Sequence, residues 1–156
     1  MMKALITAAV LLCGIHYAQA EEIGTVNTAF KLLGSDKIVV EVFDDPQITG
    51  VSCYVSRAKT GGLTGAIGLA EDKADSSVAC RQVGDITFKE AVPKQRDVFT
   101  ERASFFFKRV HVVRMVDQKR RVLVYLVYSD KLIDGSPKNS VTAVPLASDV
   151  KMLVKE

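Results

Sequence analysis

Two runs of branched and aromatic residues, 105–116 (FFFKRVHVVRMV) and 121–128 (RVLVYLVY), flank the polar tetrapeptide Asp117-Gln118-Lys119-Arg120. Side chains of this kind lose χ1 freedom in a helix and fit a pleated sheet. A short polar insert between two such runs is the pattern of an antiparallel hairpin. The same signal recurs along the chain. Residues 37–43 (KIVVEVF) and 51–58 (VSCYVSRA) are separated by Asp44-Asp45-Pro46 and Gly50, and 76–83 ends at Gly84-Asp85 before Ile86-Thr87-Phe88. Residues 140–146 (SVTAVPL) read as a final strand that ends or lies at a sheet edge, because Pro145 has no N–H to give. Two segments stay open. Residues 25–33 carry Val26, Phe30 and Leu33 at helical spacing but also alternate, and 148–154 fits one or two helical turns capped by Ser148. In the run from Phe105, the apolar phase changes at Lys108-Arg109, which predicts a bulge there. The turn residues Arg120 and Arg121 are expected to be solvated. The expected fold is mainly β: a single antiparallel sheet-rich domain, barrel- or sandwich-like, with one or two short helices.

The N-terminus reads differently. Met1-Met2-Lys3, an uncharged apolar run over 4–15 and Ala18-Gln19-Ala20 form the three parts of a secretory signal, with cleavage expected after Ala20. The run is too short to cross a bilayer. Cys13 suggests lipid attachment, but Leu12 stands before it where a small residue is wanted. The expected organisation is a leader over 1–20 and one β-rich domain over 21–156, periplasmic, with no membrane span. That domain has 136 residues, 20 Lys and Arg, 18 Asp and Glu, and two cysteines. This length suffices for one core, and a net charge of +2 does not call for nucleic acid or another polyanion. With 48% hydrophobic and 25% charged residues, a disordered chain and a multi-span membrane protein are excluded. Cys53 and Cys80, an even pair in an oxidising compartment, are expected to form a disulfide. They do not have Cys-x-x-Cys spacing and are too few for zinc, so no metal and no cofactor are expected.

The densest unusual stretch runs from Arg57 to Asp72, where four of the ten glycines fall within eight residues. Successive glycine amides beside Arg57 and Lys59 can cradle an anion, and a tight turn or close-packed crossover is the plainer reading. Neither a Gly-Lys-Ser/Thr phosphate loop nor Gly-x-Gly-x-x-Gly is present. Ser56-Arg57-Ala58-Lys59 and Lys59-Thr60-Gly61 mimic two motifs of penicillin-recognising enzymes, but one lysine cannot serve both. His111, between Val110 and Val112, suits a packed or edge residue better than a general base. Asp44-Asp45 and Glu71-Asp72 suit caps or turns better than a cation site. Charge is uneven: residues 21–50 carry net −4 and residues 94–121 net +6. The two segments are expected to face each other or to be solvated, with docking of an envelope partner on the basic hairpin as the alternative.

Several segments together are distinctive: Glu41-Val42-Phe43-Asp44-Asp45-Pro46, Cys53-Tyr54-Val55-Ser56-Arg57-Ala58-Lys59-Thr60-Gly61-Gly62, Gly68-Leu69-Ala70-Glu71-Asp72, Tyr128-Ser129-Asp130-Lys131 and Gly135-Ser136-Pro137-Lys138-Asn139. In this order, over nearly the whole chain after the leader, they resemble the CreA family of bacterial periplasmic proteins. The resemblance implies export and carries over no catalytic residue.

The first functional expectation is a non-catalytic binding module. It would hold a small anionic ligand or a partner's carboxylate with Arg57, Lys59, Thr60, Gly61 and Gly62, joined by Asp130 and Lys138. This requires the loops at Lys59 and Lys138 to leave the sheet at the same end. The alternatives are an envelope interaction module using the basic hairpin, and a hydrolase using Lys59 or Asp130 with a nearby serine.

Overall fold

The structure, a computed structural model, describes residues 20–31, 34–60, 76–102, 109–130 and 138–155. These form ten strands: β1 (Glu21–Lys31), β2 (Gly34–Asp44), β3 (Ile48–Thr60), β4 (Ser76–Phe88), β5 (Val92–Pro93), β6 (Gln95–Arg102), β7 (Arg109–Asp117), β8 (Val122–Ser129), β9 (Asn139–Pro145) and β10 (Val154–Lys155). They make two four-stranded antiparallel sheets in the orders β1-β2-β3-β4 and β6-β7-β8-β9, plus a short parallel pair of β5 and β10.

The alternation in the strands decides which faces meet. In β8, Leu123, Tyr125, Val127 and Ser129 are buried, while the residues between them are half-buried. Register sets Val110, Val112 and Arg114 of β7 beside the same inner row. From the first sheet, Phe43, Val51, Cys53, Val55, Val78 and Cys80 join one shared core. The rings of Phe43 and Phe99 stack across the sheets at 4.6 Å, and the backbone N–H of Cys80 donates to Thr142 Oγ1 at 3.4 Å where β4 adjoins β9. The result is a sandwich of two sheets around one hydrophobic layer.

Cys53 and Cys80 sit directly opposite each other on β3 and β4, with Cα atoms 4.0 Å apart, and form the expected disulfide. Both are on the inner face and fully buried. Farther along the same pair, the ladder is interrupted at Gly50, whose φ is +76°. A Cβ there would lie 2.4 Å from the carbonyl oxygen of Asp85, so only glycine fits.

A charged cluster is buried in the core. The Arg114 Nη1 donates to both carboxylate oxygens of Asp45 at 2.7 and 2.9 Å, and both side chains are 0% exposed. Asp45 also accepts from the backbone N–H of Gln47 and of Ile48 and from the Tyr125 hydroxyl. Arg114 Nη2 donates to Gln47 Oε1, and Gln47 Nε2 donates to Glu90. Burial first, and then the Asp45 charge, push the Tyr125 phenol far above its ordinary value, so it remains a donor. Asp45 is the turn residue its sequence suggests, but it is also the acceptor that joins the acidic segment to the basic one.

Several expectations need correction. No helix occurs among the described residues. Residues 25–31 belong to β1, with 32 and 33 outside the described residues. Over 148–154 there is a turn leading to β10. The reason lies in Arg121, which is not simply solvated. Its Nη2 donates to the carbonyls of Ala147, Ser148 and Val150, groups that a helix would offer to its own amides. Arg120 pairs with Asp117 at 2.9 Å within the turn. Residues 103–108 lie outside the described residues, so the bulge expected at Lys108-Arg109 is not located; a register shift falls on the neighbouring strand, between Asp97 and Phe99. Strand β6 carries no clear strand signal, since only Val98 and Phe99 among its eight residues are apolar. Of the leader expected over 1–20, residues 1–19 also lie outside the described residues.

Candidate functional site

Strand register brings the sequence-marked residues toward one end of the sandwich. In the second sheet, Arg102 is opposite Arg109, Val110 opposite Ser129 and Tyr128 opposite Asn139. The end of β6, the start of β7, Asp130 and Lys138 therefore share one end. In the first sheet, Arg57 is opposite Ser76, near the end of β3 and the start of β4. Arg57 bonds to Glu101 on β6, which sets this end of the first sheet against the same end of the second. Lys59 and Lys138 are thus at one end, as the binding reading requires. Thr60 is the last residue of β3. Gly61 and Gly62 lie outside the described residues.

Arg57 follows Val51, Cys53 and Val55 on the inner face, and its guanidinium enters the space between the sheets, where the side chain is 5% exposed. Its Nη2 donates to Glu41 Oε1 at 3.0 Å and to Glu101 Oε1, and it forms an ion pair with Glu41 Oε2 at 2.7 Å. The Lys59 ammonium donates to Glu41 Oε1 at 2.9 Å and remains 35% exposed. Two cations and two carboxylates therefore compensate one another. Burial works against the charged Arg57, but Glu41 and Glu101 outweigh it and hold the group above its ordinary value. Burial likewise pushes the Glu41 carboxyl up, but Arg57 and Lys59 prevail and leave it below its ordinary value of 4.5. Arg57 thus clamps the two sheets, and Lys59 and Glu101 are the parts of the cluster that reach solvent.

A second cluster is on the outer face of the β6-β7-β8-β9 sheet. His111 Nε2 is 3.1 Å from Asp130 Oδ2, and its Nδ1 is 3.4 Å from both Asp97 Oδ2 and Thr100 Oγ1. The ring stacks on Tyr128 at 5.0 Å between centroids. Burial, then Asp97 and Asp130, raise the Tyr128 phenol above its ordinary value. His111 is at neither a core nor an edge position; it is the middle of a polar group that ends in Asp130. Among the described residues, no group of three or more His, Cys, Asp or Glu side chains is arranged to hold a metal ion.

Reading the sequence alone misses Glu41 and Glu101 as partners of Arg57, and Asp97, Thr100 and Tyr128 as partners of His111. A signal existed for Glu41. In KIVVEVF, Val39, Glu41 and Phe43 share one face, so an inward Val39 and Phe43 place the carboxylate inward as well. The basic segment is also less free than its charge suggests, because Arg114 is buried and Arg121 is held by three carbonyls.

The depressed Glu41 carboxyl gives a pH dependence. A carboxyl below its unfolded value contributes stability that is present above about 4.5 and is lost as pH falls through the folded value. Glu41→Gln is expected to cost about 1–3 kcal/mol at neutral pH. In urea denaturation, its difference from the wild type should shrink as the pH is lowered from 7 to 3. An undiminished difference at acid pH would mean that the charge of Glu41 is not what holds Arg57.

Comparison with known proteins bears on most of the chain. A family model described as CreA protein matches residues 23–149. The protein CreA of Escherichia coli K12 is 53% identical to this chain over 134 residues, covering 83% of this chain and 85% of the relative. The protein of the same name from Escherichia coli O157:H7 matches to the same extent. No solved structure matches the chain. A family match over that span and relatives at this identity reach the same conclusion as the order of short segments along the sequence: the chain belongs to the CreA family.

Proposed function

We propose that this CreA family protein is an exported, periplasmic binding module without catalysis of its own, which takes a small anionic ligand or a carboxylate of an envelope partner at the Lys59 end of the sandwich. The observation that carries this reading is the placement of Lys59, Asp130 and Lys138 at one end of two sheets held together by Arg57. The disulfide is compatible with export. Within the proposed site Lys59 supplies a charge that reaches the surface, with Asp130 and Lys138 at the same end of the second sheet. Arg57 acts as a positioning residue, since its donors already face Glu41 and Glu101. An ammonium bonded to Glu41 is poorly suited to act as a base, which weighs against the hydrolase alternative.

Native mass spectrometry of the protein purified from the periplasm tests this reading. An adduct is expected on the wild type and not on a Lys59→Ala, Lys138→Ala variant of unchanged circular dichroism. A bare mass for both proteins would overturn the ligand reading.

A further inference from the structure

The first strand is the least enclosed part of the fold. Among the described residues β1 is at an outer position of its sheet and pairs only with β2. Every residue from Glu21 to Thr28 is exposed, including Ile23 at 57% and Val26 at 64%. Register sets Val26 beside Ile38, which is 41% exposed, and Ile38 beside the exposed Ala58, so one apolar row crosses the outer face and stops at the free edge. A long edge strand of this kind is a template for another strand.

Its charge pattern indicates which strand. Glu21 and Glu22 open β1 and Lys31 closes it, with no charge between them. Parallel alignment with an identical strand would set acid against acid. Antiparallel alignment about Val26 sets Glu21 of each copy opposite Lys31 of the other and brings the two Val26 side chains together on the outer face. The register shifts at Glu22/Gly24 and Asn27/Ala29 fall at nearly equal distances on either side of this centre, so the two-fold pairing sets the irregular part of one copy beside that of the other. We propose that β1 is a self-complementary interface through which two copies of this chain pair edge to edge, joining their first sheets into one eight-stranded sheet with a two-fold axis at Val26. The proposal is independent of the ligand reading, since it uses neither Lys59 nor Asp130.

The test is the mass of the purified protein in solution, by light scattering after size exclusion and by native mass spectrometry, over about 1–100 μM, the range suited to a small interface. The wild type is expected to dimerise in that range. Val26→Lys, which sets two ammonium groups together at the axis, should leave only monomer with unchanged circular dichroism. Lys31→Glu should raise the dissociation constant at least about fivefold, and Glu21→Lys combined with Lys31→Glu should restore it. A monomer at every concentration overturns the proposal, as does a dimer that ignores Val26→Lys or fails to recover in the charge-swapped variant. A heterologous protein bound at β1 in place of a second copy also overturns it.

Discussion

Arg114→Met is expected to lower the stability of the domain by about 3–5 kcal/mol, because it leaves the Asp45 carboxylate without a countercharge in a dry interior. Methionine fills much of the space of the arginine stem, so the loss reports charge rather than volume. Arg114 donates to Asp45 and Gln47 with different nitrogens, which a lysine cannot reproduce with one ammonium. Arg114→Lys is therefore expected to fall between the two, keeping the charge and losing the fork. Urea denaturation with the disulfide intact measures all three proteins. A cost below about 1 kcal/mol for the methionine variant would show that water reaches the cluster and that Asp45 is solvated there.

The second large effect belongs to Cys53 and Cys80. The bridge spans a sequence separation of 27. Closing a loop of that size stabilises a domain by about 3–4 kcal/mol in the chain-entropy treatment. Cys53→Ala with Cys80→Ala is expected to lose that amount, read as a lower urea midpoint. Both sulfurs are buried in the core, so a reductant should act on the native protein only through opening of the fold. The rate of reduction at neutral pH should then rise with urea. A rate that is fast in buffer and insensitive to urea would place the disulfide within reach of solvent.

The hairpin of β7 and β8 was legible because its inner row is almost wholly apolar, and β2 and β3 were legible for the same reason; β9 was legible from its β-branched residues Val141, Thr142 and Val144, although only Val144 is buried. β6 was not. Its sequence, QRDVFTER, is polar because the outer side of an outer strand faces water and only Val98 and Phe99 reach the core. The helix expected near the C-terminus failed on a contact between residues 27 positions apart, Arg121 to Ser148, which no local pattern contains. The same limit applies to the candidate site. Arg57 and Lys59 stood out as charges beside glycines, and their separation of two residues on one strand correctly implies one shared face. Glu101 is on the opposite sheet, 44 residues away, and periodicity within a strand carries no information about which strand packs across from it. Arg114 shows the opposite case, since a charge flanked by Val112, Val113, Met115 and Val116 already stands on an inward row. The mistake to avoid there is to read a basic segment as a basic surface.

The β3–β4 bridge has one more consequence, for how the chain responds to a protease. Every peptide bond from Cys53 to Cys80 lies inside a covalent ring. A single cut anywhere within it, including the glycine-rich stretch, gains one water in mass and releases no fragment. The two pieces stay tethered at the middle of the first sheet, with their ladder partners still in register. A nicked molecule would run as one species until it is reduced, so a cut between β3 and β4 leaves the two strands joined.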